Sequence, residues 1–198
     1  MNNKTYTFIF FGIVGSGKGT QVELLKKYLV ENNITSDVLF TSTGNEYRKL
    51  IGTDSYTSER VKGNLEKGFL QPDFLTVTLF TDILIREMKE GATLIADGFP
   101  RTITQSQAFE SMMKFYNRDE VKIIYIELSK EEAIKRMKLR ARSDDTDEGI
   151  ANRFDEYVNN VIPSMNYFKD KSGYTLYEIN GEQSIQDVHK EIIKNIEI

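Results

Sequence analysis

The stretch that decides the fold is residues 5–21, TYTFIFFGIVGSGKGTQ, in which an apolar run ends in a segment crowded with glycine. The β-rich run over residues 5–11 is typical of a strand that is covered on both faces. Residues 20–32 follow with helical spacing, because Val22, Leu25 and Leu29 fall on one face. The stretch therefore predicts a buried strand, a loop and a helix in direct succession.

The loop itself satisfies the spacing G-x-x-x-x-G-K, from Gly12 to Lys18. Glycines leave successive backbone N–H groups open to an anion, and the helix N-terminus adds partial positive charge. Lys18 supplies a full charge that can reach the β- and γ-phosphates of a nucleotide. The alternative is a plain glycine turn with an exposed lysine. Because strand, loop and helix are all in place, the motif predicts a nucleotide-binding loop made by Gly15, Ser16, Gly17, Lys18, Gly19 and Thr20.

Length, net charge and composition narrow the class of protein. The 198 residues are enough for one α/β domain, and the net charge of −4 argues against nucleic acid or anionic lipid as a partner. Absence of cysteine excludes disulfides and cysteine-held metals, and a single histidine excludes a histidine metal cluster. No stretch has the length of a membrane span, so we expect no membrane partner and a cytoplasmic protein.

Strand-like and helix-like segments alternate along the chain. Strands are predicted over residues 5–11, 37–41, 93–97, 122–128 and 175–179. Helices are predicted over residues 20–32, 45–50, 58–67, 74–89, 105–116, 131–139, 150–169 and 185–196, with Pro163 bending or breaking the seventh. This order predicts an α/β fold of the P-loop NTPase type, with a five-stranded parallel sheet flanked by helices. Ligands of such sheets bind beyond the carboxyl ends of the strands.

The end of the third predicted strand and the turn after it contain two side chains suited to phosphate chemistry. Asp97 ends the strand and so projects into the expected crevice, where it is placed to bind Mg²⁺ directly or through water. Arg101 follows four residues later, and its planar guanidinium can grip a phosphate with two hydrogen bonds. The alternative is a turn with a surface salt bridge between Asp97 and Arg101.

Several segments resemble the nucleoside monophosphate kinases, and adenylate kinases above all. They are GSGKGTQ at residues 15–21, STGNEYR at 42–48, KGFLQPD at 67–73 and DGFPRT at 97–102. The resemblance runs from residue 8 to about residue 192. It implies one kinase domain over residues 1–198, with a monophosphate-binding insertion over 42–71 and a minimal lid over 140–145. It also implies Mg²⁺-dependent direct phosphoryl transfer from ATP to AMP, giving two ADP.

The same resemblance implies the residues of the monophosphate site. They are Thr43, Arg48, Leu65, Gln71, Gly98, Arg101 and Gln105. The Gln105 amide can donate and accept at once, which suits the edge of adenine. Asn45 stands where the family has Asp, and we expect it to cap a helix. Tyr47 replaces an aliphatic residue, so its ring either stacks on the base or simply packs.

Four arginines, Arg136, Arg140, Arg142 and Arg153, fall within eighteen residues. Without the resemblance, a solvated helix face is the ordinary interpretation of such a basic segment. The resemblance places Arg136 over the ATP adenine, with Arg140 and Gln183 as further ATP contacts. It assigns the transferring phosphoryl group to Lys18, Arg101, Arg140, Arg142 and Arg153. Asp144 and Asp145 are expected to orient these arginines, and only Ala141 remains where the family has its lid.

Two other functions stay open at this point. The chain could phosphorylate another monophosphate, such as UMP or CMP, because the base pocket departs from the common pattern at Tyr47 and Gln71. It could also be a regulatory nucleotide-binding module without catalysis, although the complete set of cations argues against this. We expect a monomer or a small homo-oligomer.

Overall fold

The computed structural model describes residues 5–140 and 146–198. Its sheet has the order β2-β3-β1-β4-β5, and every pairing between neighbouring strands in the described residues is parallel. The strands are β1 Thr7–Phe11, β2 Val38–Ser42, β3 Thr93–Asp97, β4 Val121–Glu127 and β5 Tyr174–Asn180. The predicted fold class, a five-stranded parallel sheet flanked by helices, is confirmed.

Helices connect the strands and cover both faces of the sheet. They are α1 Lys18–Glu31, α2 Thr43–Ile51, α3 Tyr56–Glu66, α4 Asp73–Glu87, α5 Ile103–Phe115, α6 Lys130–Arg140, α7 Asp147–Glu156, α8 Ile162–Asn166 and α9 Ile185–Ile196. Helices α2 and α3 lie in the segment between β2 and α4, where the insertion was predicted. Among the described residues, no helix is both long enough and apolar enough to cross a membrane.

A bend or a break of the helix was predicted at Pro163, and the structure has a wider helical turn just before it. A π-helical segment, Tyr157–Val161, joins α7 to α8, so the helix widens one turn before the proline and then continues. The Ile162 N–H donates to the Tyr157 carbonyl, five residues back. Proline has no N–H for the carbonyl four residues before it, and a wider turn accommodates that loss without a break.

The core explains why the first strand is continuously apolar. Phe8 and Phe10 pack with α1 and α9 on one face of the sheet, while Ile9 and Phe11 pack with α4, α5 and α8 on the other. All four side chains are at most 2% exposed. A strand buried on both faces needs apolar residues at every position.

The carboxyl ends of three neighbouring strands lie at one level. Asp97 at the end of β3 pairs with Phe10 of β1 on one side and with Ser42 of β2 on the other. The glycine loop after Phe11 and the start of α2 at Thr43 therefore begin beside Asp97. This register gathers segments that are far apart in sequence at one edge of the sheet.

Candidate active site

The glycine loop leads into the N-terminus of α1, which no side chain caps. Gly17, at φ 91°, precedes α1, and no side chain caps the helix. The left-handed conformation favours glycine at this position. The first turn contains no acidic residue, so the N–H groups of Lys18, Gly19 and Thr20 have neither an intrahelical acceptor nor a neighbouring carboxylate there. This geometry suits a phosphate group.

The Lys18 ammonium is folded back over the loop. Its Nζ donates to the carbonyls of Gly12 at 2.7 Å and Ile13 at 3.0 Å. Burial lowers the pKa of Lys18 to about 8; Asp97 opposes the shift, and Arg101 and Arg140 add to it. A bound polyphosphate would stabilise the charged form and bring the pKa back up.

This lowered pKa predicts proton uptake on nucleotide binding. Free Lys18 loses its charge as the pH rises through about 8, whereas nucleotide-bound Lys18 keeps it. Binding of Mg²⁺-ATP should therefore take up close to one proton near pH 9 and little at pH 7, and affinity should fall above pH 8. Calorimetry in buffers of different ionisation enthalpy measures the uptake. Lys18→Arg, which stays charged, should abolish it, and equal uptake at pH 7 and pH 9 would contradict the prediction.

Asp97 offers a buried oxygen suited to a cation. Its Oδ1 is buried and has no hydrogen-bond partner among the described residues, and the residue lines the same cleft as Thr20. No group of three His, Cys, Asp or Glu side chains in the described ranges could hold a metal ion by itself. Magnesium commonly uses one or two carboxylates, with phosphates and waters completing its shell. Asp97 fits such a nucleotide-borne ion.

Arg101 lies between the glycine loop and the insertion. Burial lowers the pKa of its guanidinium, with Asp97 opposing the shift and Arg153 adding to it. Within residues 5–140 and 146–198, no hydrogen bond or salt bridge engages this guanidinium, so the predicted alternative, a surface salt bridge to Asp97, is not formed. A Cβ at Gly98, whose φ is 82°, would lie 2.7 Å from Thr43 Oγ1 and 3.2 Å from the guanidinium. Glycine at this position leaves room for Arg101.

Two adjoining cavities meet at the cations. The loop cleft is lined by Val14, Gly15, Gly17, Lys18, Gly19, Thr20, Glu23, Phe40, Ser42, Gly44, Asn45, Arg48, Asp97, Gly98, Arg101, Arg136 and Arg140. The inner cavity is lined by Phe10, Phe11, Gly12, Val14, Lys18, Gly44, Arg48, Leu65, Gly68, Phe69, Leu70, Gly98, Pro100, Arg101, Arg140, Arg153, Glu156, Tyr157 and Val161. The charged residues common to both are Lys18, Arg48, Arg101 and Arg140. Four cations from four separate segments therefore form the shared wall.

A side cavity shares part of its lining, including Arg101, with the inner cavity. It is lined by Thr43, Gly44, Tyr47, Leu65, Phe69, Leu70, Gln71, Thr76, Gly98, Arg101 and Gln105. The structure thus brings together all the residues predicted for the monophosphate site except Arg48, which lies in the shared wall. Tyr47 is 6% exposed and its hydroxyl bonds Thr76 Oγ1 at 2.5 Å, so its ring packs into the wall of the cavity.

One sequence prediction needs correction, and another stays a prediction. Asn45 does not cap a helix: α2 begins at Thr43 after Ser42, and Asn45 Oδ1 instead accepts a hydrogen bond from Arg48 Nη2. Gln183 stays a predicted ATP contact: its Nε2 donates to Glu191 and to the Asn180 carbonyl, and it is not among the residues that line the loop cleft.

Arg136 also lines the loop cleft. Its Nε donates to Glu132 at 2.8 Å and its Nη2 to the Gly181 carbonyl at 3.1 Å, so the guanidinium bridges α6 and the turn after β5. Ser16, within the glycine loop, is 3% exposed. Arg142, Asp144, Asp145 and the rest of the predicted lid after Arg140 lie outside the described residues.

Helix α7 contributes contacts that the sequence did not reveal. Glu156 Oε1 accepts from the Leu70 N–H at 3.3 Å, and Asn152 Nδ2 donates to the Lys67 carbonyl at 2.8 Å. These bonds fasten the helix that carries Arg153 to the segment that borders the side cavity. Glutamate and asparagine on a helix are ordinary surface residues in sequence, so no pattern could have singled them out.

Comparison with known proteins gives a consistent result. A family model described as adenylate kinase matches residues 10–173. An adenylate kinase of Prochlorococcus marinus (strain AS9601) is 32% identical over 184 residues, covering 93% of this chain and 94% of the relative. An adenylate kinase of Bacteroides fragilis (strain YCH46) is 32% identical over 194 residues, covering 96% and 97%.

A third relative shows a difference in length. The adenylate kinase of Thermosipho africanus (strain TCF52B) is 28% identical over 220 aligned positions, which cover 95% of this chain and 98% of the relative. The alignment is longer than the 198 residues of the chain, so this relative carries residues without a counterpart here.

Proposed function

The chain belongs to the adenylate kinase family, and from that premise we propose that it catalyses reversible transfer of the γ-phosphoryl group from Mg²⁺-ATP to AMP, giving two ADP. The observation that carries the proposal is the shared wall of the two cavities. Lys18, Arg48, Arg101 and Arg140 face both the loop cleft and the inner cavity. A donor in one and an acceptor in the other would place their phosphates against the same four cations.

Charge neutralisation is the main task of such a site. A triphosphate and a monophosphate in contact repel each other strongly in surroundings poor in water. In the proposed arrangement, the open N–H groups of the glycine loop hold the donor phosphates and Lys18 neutralises the β- and γ-oxygens. Arg48 and Arg101 hold the acceptor phosphate. Arg140 and Arg153 stabilise the charge that spreads over the phosphoryl group in flight.

A divalent metal fits this chemistry. Adenylate kinases use ATP with a divalent metal, and we propose Mg²⁺ in this protein. Asp97, through its unpartnered buried oxygen, would hold the ion directly or through water. When bound, the ion would supply positive charge that stabilises the phosphate oxygens.

The site needs no covalent intermediate. The chain has no cysteine, its single histidine lies on α9, and Ser16 of the glycine loop is buried. Direct transfer requires the two nucleotides to be aligned within one enclosure, which the adjoining cavities supply.

Turnover against a panel of acceptors tests the proposal. With Mg²⁺-ATP as donor, AMP should give the highest kcat/KM among AMP, CMP, UMP and GMP. Highest activity with UMP or CMP would assign the chain to the pyrimidine monophosphates instead. Tight ATP binding with no ADP formed from any acceptor would favour the regulatory module. Domain boundaries, location in the cytoplasm and oligomeric state stay predictions.

A further inference from the structure

We propose that Asp73 is a specificity-positioning residue, which fixes the orientation of the Gln105 side-chain amide and thereby decides which bases the side cavity accepts. The accepted bases would carry an amino group next to an acceptor ring nitrogen, as adenine does. The inference rests on the proposed function and adds a residue to it.

Gln105 is held from both ends of its amide. Its Nε2 donates to Asp73 Oδ1 at 2.8 Å, and its Oε1 accepts from the Arg101 backbone N–H at 2.8 Å. Thr102 closes the network, because its hydroxyl donates to Asp73 Oδ1 at 2.8 Å and accepts from the Gln105 N–H at 3.2 Å. The Gln105 side chain is 1% exposed, so water does not compete for these bonds.

The surrounding groups permit only one orientation of this amide. A carboxylate can only accept and a backbone N–H can only donate. Rotating the Gln105 amide by half a turn would set its oxygen against the Asp73 carboxylate and its N–H against the Arg101 N–H. The bond to Asp73 is charge-assisted and is the stronger of the two constraints.

A fixed amide can discriminate bases that a free one cannot. After these bonds, Gln105 retains one N–H on Nε2 and one lone pair on Oε1 for a ligand. Adenine offers a ring acceptor beside an amino donor. Hypoxanthine has nearly the same shape but offers a ring N–H beside a carbonyl, which is the reverse pattern. A freely rotating amide matches either edge, whereas the fixed amide matches one and leaves the other unpaired.

Asp73 influences the choice of base only through Gln105. Gln105 lines the side cavity, whereas Asp73 is not among the described residues that line it. Asp73 occupies the first position of α4, at the exit of the predicted insertion. A positioning role therefore predicts changed selectivity, which mere support of the helix would not produce.

The test compares AMP with IMP, its hypoxanthine counterpart, as acceptors for the same enzyme preparation. Wild type should prefer AMP by at least about a hundredfold in kcat/KM. Asp73→Ala should lower that preference about tenfold or more, because a charge-assisted bond no longer opposes rotation. Asp73→Asn, whose carbonyl can still accept from Nε2, should retain most of it. Asp82→Ala, a matched change at an exposed aspartate of the same helix, should leave it unchanged.

A second background shows whether the effect runs through Gln105. In Gln105→Leu, adding Asp73→Ala should alter the AMP:IMP ratio less than about twofold. If Asp73→Ala does not fold, Asp73→Ser replaces it, and the same loss of AMP preference is expected. Serine suits a helix N-terminus, and its hydroxyl can donate as well as accept. An AMP preference within about twofold of wild type in Asp73→Ala, or in Asp73→Ser where Asp73→Ala does not fold, would overturn the inference alone. Wild type that phosphorylates neither AMP nor IMP would overturn the proposed function, and the inference with it.

Discussion

Arg101→Ala should lower turnover at least about a hundredfold and leave the melting temperature equal to or above that of wild type. Guanidinium groups that stabilise a phosphoryl transition state contribute about 10³–10⁵ in rate. In the free protein, however, burial lowers the pKa of Arg101, so its charge works against the folded state. In Arg101→Ala, turnover should therefore fall without a fall in melting temperature. Steady-state kinetics and thermal unfolding on the same preparation measure both.

The matched control for this change is Arg86→Ala. Arg86 lies on α4 with its side chain 57% exposed, and it pairs with Asp82. Removing it should change turnover less than about twofold. Arg101→Lys should lose most of the activity, because an ammonium keeps the charge but lacks the planar fork. A melting temperature that falls together with turnover in Arg101→Ala would mean that Arg101 is structural.

Lys18→Met should lower turnover about 10²–10³-fold, the loss expected when one fixed donor to developing charge is removed. The replacement is similar in length and apolar, so it also relieves the cost of burying the ammonium. Stability should not fall, although the bonds from Nζ to the carbonyls of Gly12 and Ile13 disappear. Kinetics with saturating AMP and varied Mg²⁺-ATP measure the effect on kcat and KM.

The control for Lys18→Met is Lys26→Met on the same helix. Lys26 forms a surface salt bridge with Glu23 at 3.0 Å, and such pairs contribute little. Its loss should leave turnover unchanged. Near-normal kcat in Lys18→Met would remove Lys18 from the transfer step.

Much of the fold follows from local sequence patterns. Strand β3 has the predicted bounds, and the other strands differ from prediction by two residues or fewer at either end. Continuous apolar runs and short connecting helices leave few alternatives to a doubly wound sheet. The glycine loop was predictable because its spacing, its strand and its helix all occur within residues 5–21. The predicted membership of the adenylate kinase family is confirmed.

What could not be predicted depends on contacts between distant segments. The sequence identified Gln105 but not Asp73, because the bond between them joins residues 32 positions apart. It left Tyr47 between stacking and packing, and the partner of its hydroxyl, Thr76, lies 29 residues away. Asn45 was assigned to a cap because helix starts are uncertain by a few residues. Pro163 was expected to bend or break its helix, but the form of the change, a wider turn just before the proline, could not be predicted from the sequence.

The fate of the γ-phosphoryl group tests the central claim most directly, namely that donor and acceptor phosphates meet at one cationic wall. ATP labelled in that group is mixed with excess enzyme, Mg²⁺ and AMP, and the products of a single turnover are separated. The account predicts that the label passes to the β-position of ADP formed from AMP. Label released as inorganic phosphate, with AMP left unchanged, would contradict it.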